Sequence, residues 1–259
     1  MSEETGSGSD AEAEAEFDVM AGWTADAVAA LGADHALPAA CRGSGSPAAL
    51  DWLADRCRLG PGTTLLDCGG GAGGAAAYAA EHTGATPVLV EPMAGACRAA
   101  RRMFGLPTVV GGGDRLPLPS GAVGAAWCLG VLSTTEAHEA VLRELRRVLR
   151  PDGDAGLLVL VQETDDLPGA PADLVPPSAE ELDCALEGAG LAVVARQGVD
   201  DLPDPPADWD ARADRVEQRV AERHRHDRRW AVATDNEERI GRLLGDGHLS
   251  VQLLHVRPT

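Results

Sequence analysis

The segment Thr63–Gly84, TTLLDCGGGAGGAAAYAAEHTG, holds five glycines within six positions, between an apolar run and an alanine-rich run. The apolar run predicts a short buried strand and the alanine-rich run predicts a helix, so the glycines occupy the turn from strand to helix. Such a turn lets the backbone approach a ligand closely and offers it the free N–H groups of a helix N-terminus. The segment therefore predicts a site for a nucleotide-like ligand.

Two patterns fit these glycines, and each is typical of a different cofactor. Gly69, Gly71 and Gly74 match the G-x-G-x-x-G pattern of dinucleotide-binding domains. Asp67, placed two residues before Gly69, also creates the D-x-G-x-G-x-G pattern of proteins that bind S-adenosylmethionine, with Gly73 as its last position. A carboxylate there would repel the pyrophosphate of NAD but could help to hold the cationic amino end of S-adenosylmethionine. Asp67 favours the second cofactor, although the glycines alone leave both open.

A second acid lies at the end of the next predicted strand, TPVLVEP, where Glu91 follows the apolar residues. Both classes of cofactor use an acid at this place to accept hydrogen bonds from ribose hydroxyls. Glu91 therefore supports a nucleotide-like ligand without distinguishing the two classes.

Strand and helix patterns alternate through the rest of the chain, and the strands read as continuous apolar runs buried on both faces. This predicts an α/β fold: a doubly wound, seven-stranded, mostly parallel sheet with an N-terminal helical cap and a helical insertion before the last strand. The predicted parts are a disordered acidic tail (1–16), the cap (17–58), a Rossmann-like core (59–199), the insertion or lid (200–247) and the last strand (248–259).

Composition excludes several classes of partner and site. The formal net charge is −19, which would repel nucleic acid and anionic membrane surfaces. The six cysteines form no C-x-x-C pair, and we expect no metal site. The acidic start lacks the features of a signal peptide, and no apolar run reaches the length of a membrane span. We expect a cytoplasmic monomer or homodimer that acts on a small molecule.

The run from 112 to 153, GGDRLPLPSGAVGAAWCLGVLSTTEAHEAVLRELRRVLRPDG, adds three spaced matches: Gly113-Asp114, Leu116-Pro117 and Arg147–Gly153. Together with the glycine loop and Glu91, it resembles the class I S-adenosylmethionine-dependent methyltransferases, especially the small-molecule type related to ubiquinone and menaquinone biosynthesis. The resemblance covers roughly residues 65–161. It implies a Rossmann-like methyltransferase fold and transfer of a methyl group to an O, N or C nucleophile.

The resemblance also implies where the cofactor is held. Glu91 would accept from the ribose, Met93 would touch the adenine and Asp114 would accept from the adenine amino group. The implied cofactor-binding residues are Asp67, Gly69, Gly71, Gly73, Glu91, Met93, Asp114, Arg115 through its main chain, and Cys128 beside the sulfonium. The chain departs from the family in three places: Val123-Gly124 stands where relatives often have Phe-Asp, Asp154 replaces the second glycine of a Pro-Gly-Gly turn, and the end of the fourth strand lacks a histidine.

Methyl transfer is an in-line displacement, so alignment of donor and acceptor matters more than a general base. If a base is used, Glu163 at the end of the fifth strand and His138 after the fourth are the catalytic candidates, each with an ordinary surface role as the alternative.

Residues of the cap supply the remaining candidates. Arg42 could clamp the carboxylate of the cofactor or of an anionic substrate, or it could be a surface arginine. Phe17, Trp23 and His35 could shape the acceptor pocket. Three other functions stay open at this point: a cyclase on the same scaffold that binds S-adenosylmethionine without using it up, an NAD-dependent oxidoreductase, and a non-catalytic binding module.

Overall fold

The computed structural model describes residues 6–259, which contain a seven-stranded sheet flanked by helices. The strands are β1 (Thr64–Cys68), β2 (Thr86–Glu91), β3 (Thr108–Val110), β4 (Val123–Leu129), β5 (Leu149–Gln162), β6 (Leu191–Gly198) and β7 (Leu249–Pro258). The helices are α1 (Gly6–Leu31), α2 (Ala36–Ala40), α3 (Pro47–Arg56), α4 (Gly74–Thr83), α5 (Ala94–Phe104), α6 (His138–Val148), α7 (Ala179–Gly188), α8 (Ala207–His224) and α9 (Arg228–Gly245). Short 3-10 turns cover Ala33–His35, Val131–Ser133 and Val199–Asp201.

The strand order in the sheet is β3-β2-β1-β4-β5-β7-β6. The strands from β3 to β5 are parallel, whereas β7 is antiparallel to both β5 and β6. The order reverses between β1 and β4, so the chain leaves β1 and β4 in opposite directions and opens a crevice at their carboxyl ends. The predicted fold class is confirmed, and the glycine loop lies at this crevice.

Two layers of helices bury the sheet. Leu50 and Leu53 of α3 and Tyr78 of α4 pack on one face. On the other face, α6 and α7 bury Leu142 and Leu182. Both faces of the central strands are therefore covered, as their continuous apolar sequence predicts.

The cap and the insertion form a further layer outside α5. Helix α1 packs along α5 through small residues, among them Ala21, Ala25 and Ala99. Helix α8 then covers α1, with Val216 and Val220 buried against it. The insertion is thus joined to the cap by an apolar contact.

The structure differs from the sequence predictions at two places. Helix α1 begins at Gly6, so residues 6–16 of the predicted disordered tail are helical, while residues 1–5 lie outside the described residues. The apolar run 124–132, GAAWCLGVL, also predicts a fourth strand that continues past Leu129, but β4 ends there because Gly130 adopts a left-handed conformation with φ of 82°. Among the described helices, none is both long and apolar enough to cross a membrane.

Candidate cofactor site

The glycine loop connects β1 to α4 at the carboxyl edge of the sheet. Gly69, Gly71 and Gly73 have φ values of 70°, 53° and 84°, a region that side chains rarely adopt. A Cβ atom on Gly69 would collide with the side chain of Val131, and one on Gly74 would collide with the main chain of Ala40. The loop therefore needs glycine both for its turns and for its close neighbours.

Glu91 ends β2 beside this loop and is 2% exposed. Its Oε2 accepts a hydrogen bond from Gly71 N at 2.9 Å, and its Oε1 accepts one from Met93 N at 3.0 Å. These bonds fix the carboxylate between the glycine loop and the start of α5. A carboxylate in this position is the kind of group that accepts hydrogen bonds from a diol.

Asp67 lies beneath the loop and is 1% exposed. Burial and then the charge of Glu91 raise its pKa to about 7, against the effect of a hydrogen bond from the Ala76 backbone. Its Oδ2 leaves no room for a side chain at Gly70 and has no hydrogen-bond partner among the described residues. Asp67 thus supports the loop from below, and its charge state responds to any cation bound nearby.

The loop after β3 closes the other side of the site. Gly111 N donates to the Glu91 carbonyl at 3.2 Å, and a Cβ on Gly113 would lie 3.1 Å from Cys68 Sγ. The loop therefore carries the exposed residues Asp114 and Arg115 across the ends of β2 and β1.

Two further predicted residues differ in how they reach the site. Met93 is the N-cap of α5, and it packs against the same cluster of α1 and α5 alanines as Ala72 of the glycine loop. Cys128 is fully buried in the core beside Cys68, its register partner on β1. Its thiol therefore packs inside the protein, and only its main chain could border a ligand.

The start of the cap lies over the glycine loop. The Phe17 ring lies 3.6 Å from the position of a Cβ on Gly71, and the residue is 53% exposed. The neighbouring Asp18 accepts hydrogen bonds from Gly95 N and, at 3.1 Å, from Ala96 N. Phe17 is thus brought to the predicted site.

The other cap candidates make different contacts. Arg42 pairs with the insertion, through Glu217 and Asp214 of α8, the latter at 2.6 Å. Trp23 stacks on His224 with ring centroids 3.9 Å apart. His35 is buried next to Asp34, under α8, and its Nε2 has no hydrogen-bond partner among the described residues. Arg42 and Trp23 therefore connect the cap to the insertion, whereas their roles toward a ligand stay predictions.

Neither candidate base contacts the glycine loop within the described part of the chain. Glu163 is exposed, and its Oε1 accepts a hydrogen bond from Ser250 Oγ at 2.5 Å. His138 begins α6 and is partly buried, with an Nε2 that no described residue contacts by a hydrogen bond. A catalytic role for either stays a prediction.

A cavity of about 230 Å³ lies between the loop after α2 and the start of α8. It is lined by Pro38, Cys41, Arg42, Gly43, Gly45, Ser46, Pro205, Trp209, Asp210 and Ala213. The carbonyl oxygen of Gly43 also lies 3.5 Å from the position of a Cβ on Gly130. The cavity therefore borders the loop that covers the end of β4.

Comparison with known proteins identifies the domain that carries this site. Residues 66–156 match the model of the methyltransferase domain family. Over this segment, which is less than half of the chain, the protein is similar to methyltransferase domains. None of the curated proteins compared with the chain matches it significantly.

Solved structures share the fold over a longer part of the chain than residues 66–156. The [4+2]-cyclase SpnF is 23% identical, with a TM-score of 0.64 over 81% of this chain and 80% of that one. The geranyl diphosphate C-methyltransferase from Streptomyces coelicolor A3(2) is 17% identical, with a TM-score of 0.59 over 81% and 78%. A methyltransferase from Geobacter sulfurreducens bound to S-adenosylhomocysteine is 18% identical, with a TM-score of 0.61 over 84% and 93%. At these identities the likeness shows the fold.

Sequence reasoning missed three residues that shape the candidate cofactor site. Asp18 contacts the start of α5, Val131 covers Gly69, and Gly130 ends β4 beside the cap. Gly95 is the one signal in the sequence that could have indicated a close neighbour of α5. It lies in the first turn of that helix, where other residues are more favourable than glycine.

Proposed function

We propose that this protein binds S-adenosylmethionine at the carboxyl ends of β1 and β2 and transfers its methyl group to a small molecule. The observation that carries the proposal is Glu91, a buried acid oriented by Gly71 N and Met93 N at the end of β2. An acid held in this way would accept both ribose hydroxyls of the adenosyl group.

The residues around Glu91 fit this cofactor. The left-handed glycines leave a bare backbone for the methionine part, and the buried Asp67 offers a carboxylate that a cation would help to ionise. A buried acid at this place is unfavourable for the pyrophosphate of NAD, because the two negative charges would lie in a poorly solvated site. The site therefore favours the sulfonium cofactor over the dinucleotide.

When bound, S-adenosylmethionine supplies an electrophilic methyl group. The chain's own residues would orient the ribose through Glu91, support the methionine part through the loop, and exclude water with the cap. The Arg42 contacts bring α8 next to the cap loop, so the cavity of about 230 Å³ between them is the space we assign to the acceptor. Its walls include Trp209, Pro38 and Pro205, which suit a small and partly apolar acceptor.

A second function needs a test because of the likeness to SpnF, which is a [4+2]-cyclase. A cyclase on this scaffold would bind S-adenosylmethionine and release it unchanged. Production of S-adenosylhomocysteine with an acceptor therefore separates the two functions.

The first experiment is calorimetric titration of the purified protein with S-adenosylhomocysteine and, separately, with NADH. We expect the first to bind and the second to give no heat. Glu91→Ala should weaken binding of S-adenosylhomocysteine by about 1–3 kcal/mol, the range for lost hydrogen bonds to a charged group. Glu81→Ala, on the exposed face of α4, is the matched control. Binding of NADH alone would refute the proposal.

The second experiment follows the methyl group. The protein would be incubated with methyl-labelled S-adenosylmethionine and pools of small phenols, amines and prenylated compounds, and products would be identified by mass spectrometry. A labelled product together with S-adenosylhomocysteine supports methyl transfer. An unlabelled cyclised product with intact cofactor would favour the cyclase.

A further inference from the structure

Helix α1 passes over the glycine loop at Phe17, and the next residue, Asp18, makes a polar contact with α5. Asp18 accepts hydrogen bonds from the backbone N–H groups of Gly95 and Ala96, in the first turn of α5. These are N–H groups that a helix leaves unsatisfied, so the carboxylate acts as an N-terminal cap supplied by a residue 77 positions away in the sequence. Asp18 is thus a latch between α1 and α5.

The latch leaves no room for a larger residue on α5. A Cβ atom on Gly95 would lie 2.5 Å from the carboxylate atoms of Asp18. A methyl group at position 95 would therefore push Asp18 away, although alanine favours a helix more than glycine does.

The residue before the latch covers the glycine loop. Phe17 lies against Gly71, whose N–H donates to Glu91, and Glu91 itself is 2% exposed. Phe17 is nevertheless 53% exposed, so its ring is not a core residue of the cap. Phe17 thus covers the glycine loop at the residue whose N–H binds the Glu91 carboxylate.

The rest of α1, beyond Gly22, makes further contacts with its neighbours. Trp23 stacks on His224 and lies under Arg229, and Asp26 pairs with Arg102 at 2.6 Å. Between the latch and these contacts lies Gly22, where a Cβ atom would have no heavy atom within 4 Å, so packing gives no reason for glycine there. A glycine inside a helix weakens it at that point.

We propose that residues 17–21 are a lid that opens at Gly22 to admit the cofactor and closes when Asp18 caps α5. The proposal rests on the proposed function for the identity of the ligand, but not for the motion. Opening removes Phe17 from Gly71 and exposes Glu91, whereas α1 from Trp23 onward stays packed against α5 and the insertion.

Hydrogen exchange of the ligand-free protein tests the motion, with the peptide that contains residues 69–73 as the readout. Asp18→Ala should speed exchange in this peptide by about 2- to 30-fold, the range that follows from loss of a helix N-cap. Gly95→Ala should act in the same direction from the opposite side of the contact. Asp18→Asn keeps an acceptor oxygen and should restore part of the protection.

Two further variants make the test specific. Asp26→Ala removes an ion pair of the same two helices beyond Gly22 and should leave exchange in the 69–73 peptide unchanged. Gly22→Ala should slow it by about 2- to 5-fold, because alanine stabilises the helix across the hinge. Equal effects of Asp18→Ala and Asp26→Ala, or faster exchange in Gly22→Ala, would overturn the proposal. If Asp18→Ala fails to fold, Asp18→Asn, Gly95→Ala and Gly22→Ala decide it.

Stopped-flow binding of S-adenosylhomocysteine provides the link to function. The dissociation rate constant should rise in Asp18→Ala and Gly95→Ala and fall in Gly22→Ala, in the order of the exchange rates. Dissociation rates that are equal in all three variants would overturn the lid as a gate. If the wild-type protein does not bind this ligand, the proposed function fails, while the exchange data still decide the lid.

Discussion

Removal of the negative charge at Asp154 should destabilise the protein without affecting the cofactor site. Asp154 is 1% exposed and accepts hydrogen bonds from three cationic or potentially cationic side chains. Arg58 Nη2 lies at 2.5 Å, Arg257 Nε at 2.6 Å and His255 Nε2 at 2.7 Å from its oxygens. The carboxylate thereby ties the end of α3 to β5 and β7, toward the amino end of β5, and Asp154→Asn is the change that removes its charge while keeping its shape.

The magnitude follows from the exposure of the partners. Breaking a buried ion pair by removing one partner costs about 3–5 kcal/mol, because the other charge is left buried. Here Arg58 is 60% and Arg257 43% exposed, so water can solvate their charges, whereas His255 stays buried. We therefore expect Asp154→Asn to lower the free energy of unfolding by about 2–3 kcal/mol, below the fully buried case.

The dependence on pH has a definite sign. Burial would raise the pKa of Asp154, but the hydrogen bonds from Arg257, His255 and Arg58 outweigh burial and hold it below its usual value. An acid whose pKa is depressed in the folded state stabilises the protein above its unfolded pKa of about 3.9, and this contribution is lost as the pH falls through the folded value. The difference between wild type and Asp154→Asn should therefore be full at pH 7 and shrink below about pH 4.

Urea unfolding at a series of pH values measures this difference, with Asp152→Asn as the matched control on the exposed neighbouring acid. The affinity for S-adenosylhomocysteine should stay within about twofold, since the hydrogen-bond partners of Asp154 among the described residues, Arg58, His255 and Arg257, all lie outside the candidate cofactor site. A loss of stability below about 0.5 kcal/mol at pH 7, which is typical of a surface change, would refute the reasoning.

Three other predictions concern the site. Gly69→Ala should abolish detectable binding of S-adenosylhomocysteine in calorimetry, because its Cβ collides with a neighbouring side chain. Gly62→Ala is the control for backbone strain alone, because Gly62 has φ of 88° and open space around it. Equal binding by the two variants would contradict the prediction. The pKa of Asp67 is raised to about 7, and a cationic ligand favours its ionised form. S-adenosylmethionine should therefore bind more tightly at pH 8 than at pH 6, and its binding should release protons from Asp67. Calorimetry in two buffers measures both effects, and Asp67→Asn should remove them. Arg42→Ala should change the affinity for S-adenosylhomocysteine by less than about twofold and lower the melting temperature slightly, because its pairs with the insertion are exposed; a tenfold loss of affinity would instead support a clamp on the cofactor carboxylate.

The sequence predicted the sheet and its edge well because both depend on local patterns. Short apolar runs set the strands, and the glycines and Glu91 come directly after two of them. The carboxyl ends of parallel strands meet at one edge, so position along the chain was enough to place Glu91 beside the glycine loop.

Contacts between distant helices could not be predicted in the same way. Asp18 and Arg42 lie on helical or loop segments whose sequence patterns do not indicate a hydrogen-bond or ion-pair partner. Their partners depend on how α1 and α8 pack in the folded protein. The orientation of Cys128 was also hidden, because a strand buried on both faces reads as apolar throughout and does not show which side faces the site. Geometry of this kind needs the assembled core.

The position of β7 constrains how a nascent chain can fold. β7 follows every other strand in the sequence, yet it lies between β5 and β6 and supplies the only strand contact of β6 within the described sheet. At about 5–20 residues per second, the ribosome needs about 3–10 s to synthesise the chain between the end of β6 and the start of β7. During that time β5 has an open edge and β6 has no strand to pair with. The parallel strands β3, β2, β1, β4 and β5, which form the crevice, can therefore assemble on the ribosome before β7 and β6 complete the sheet.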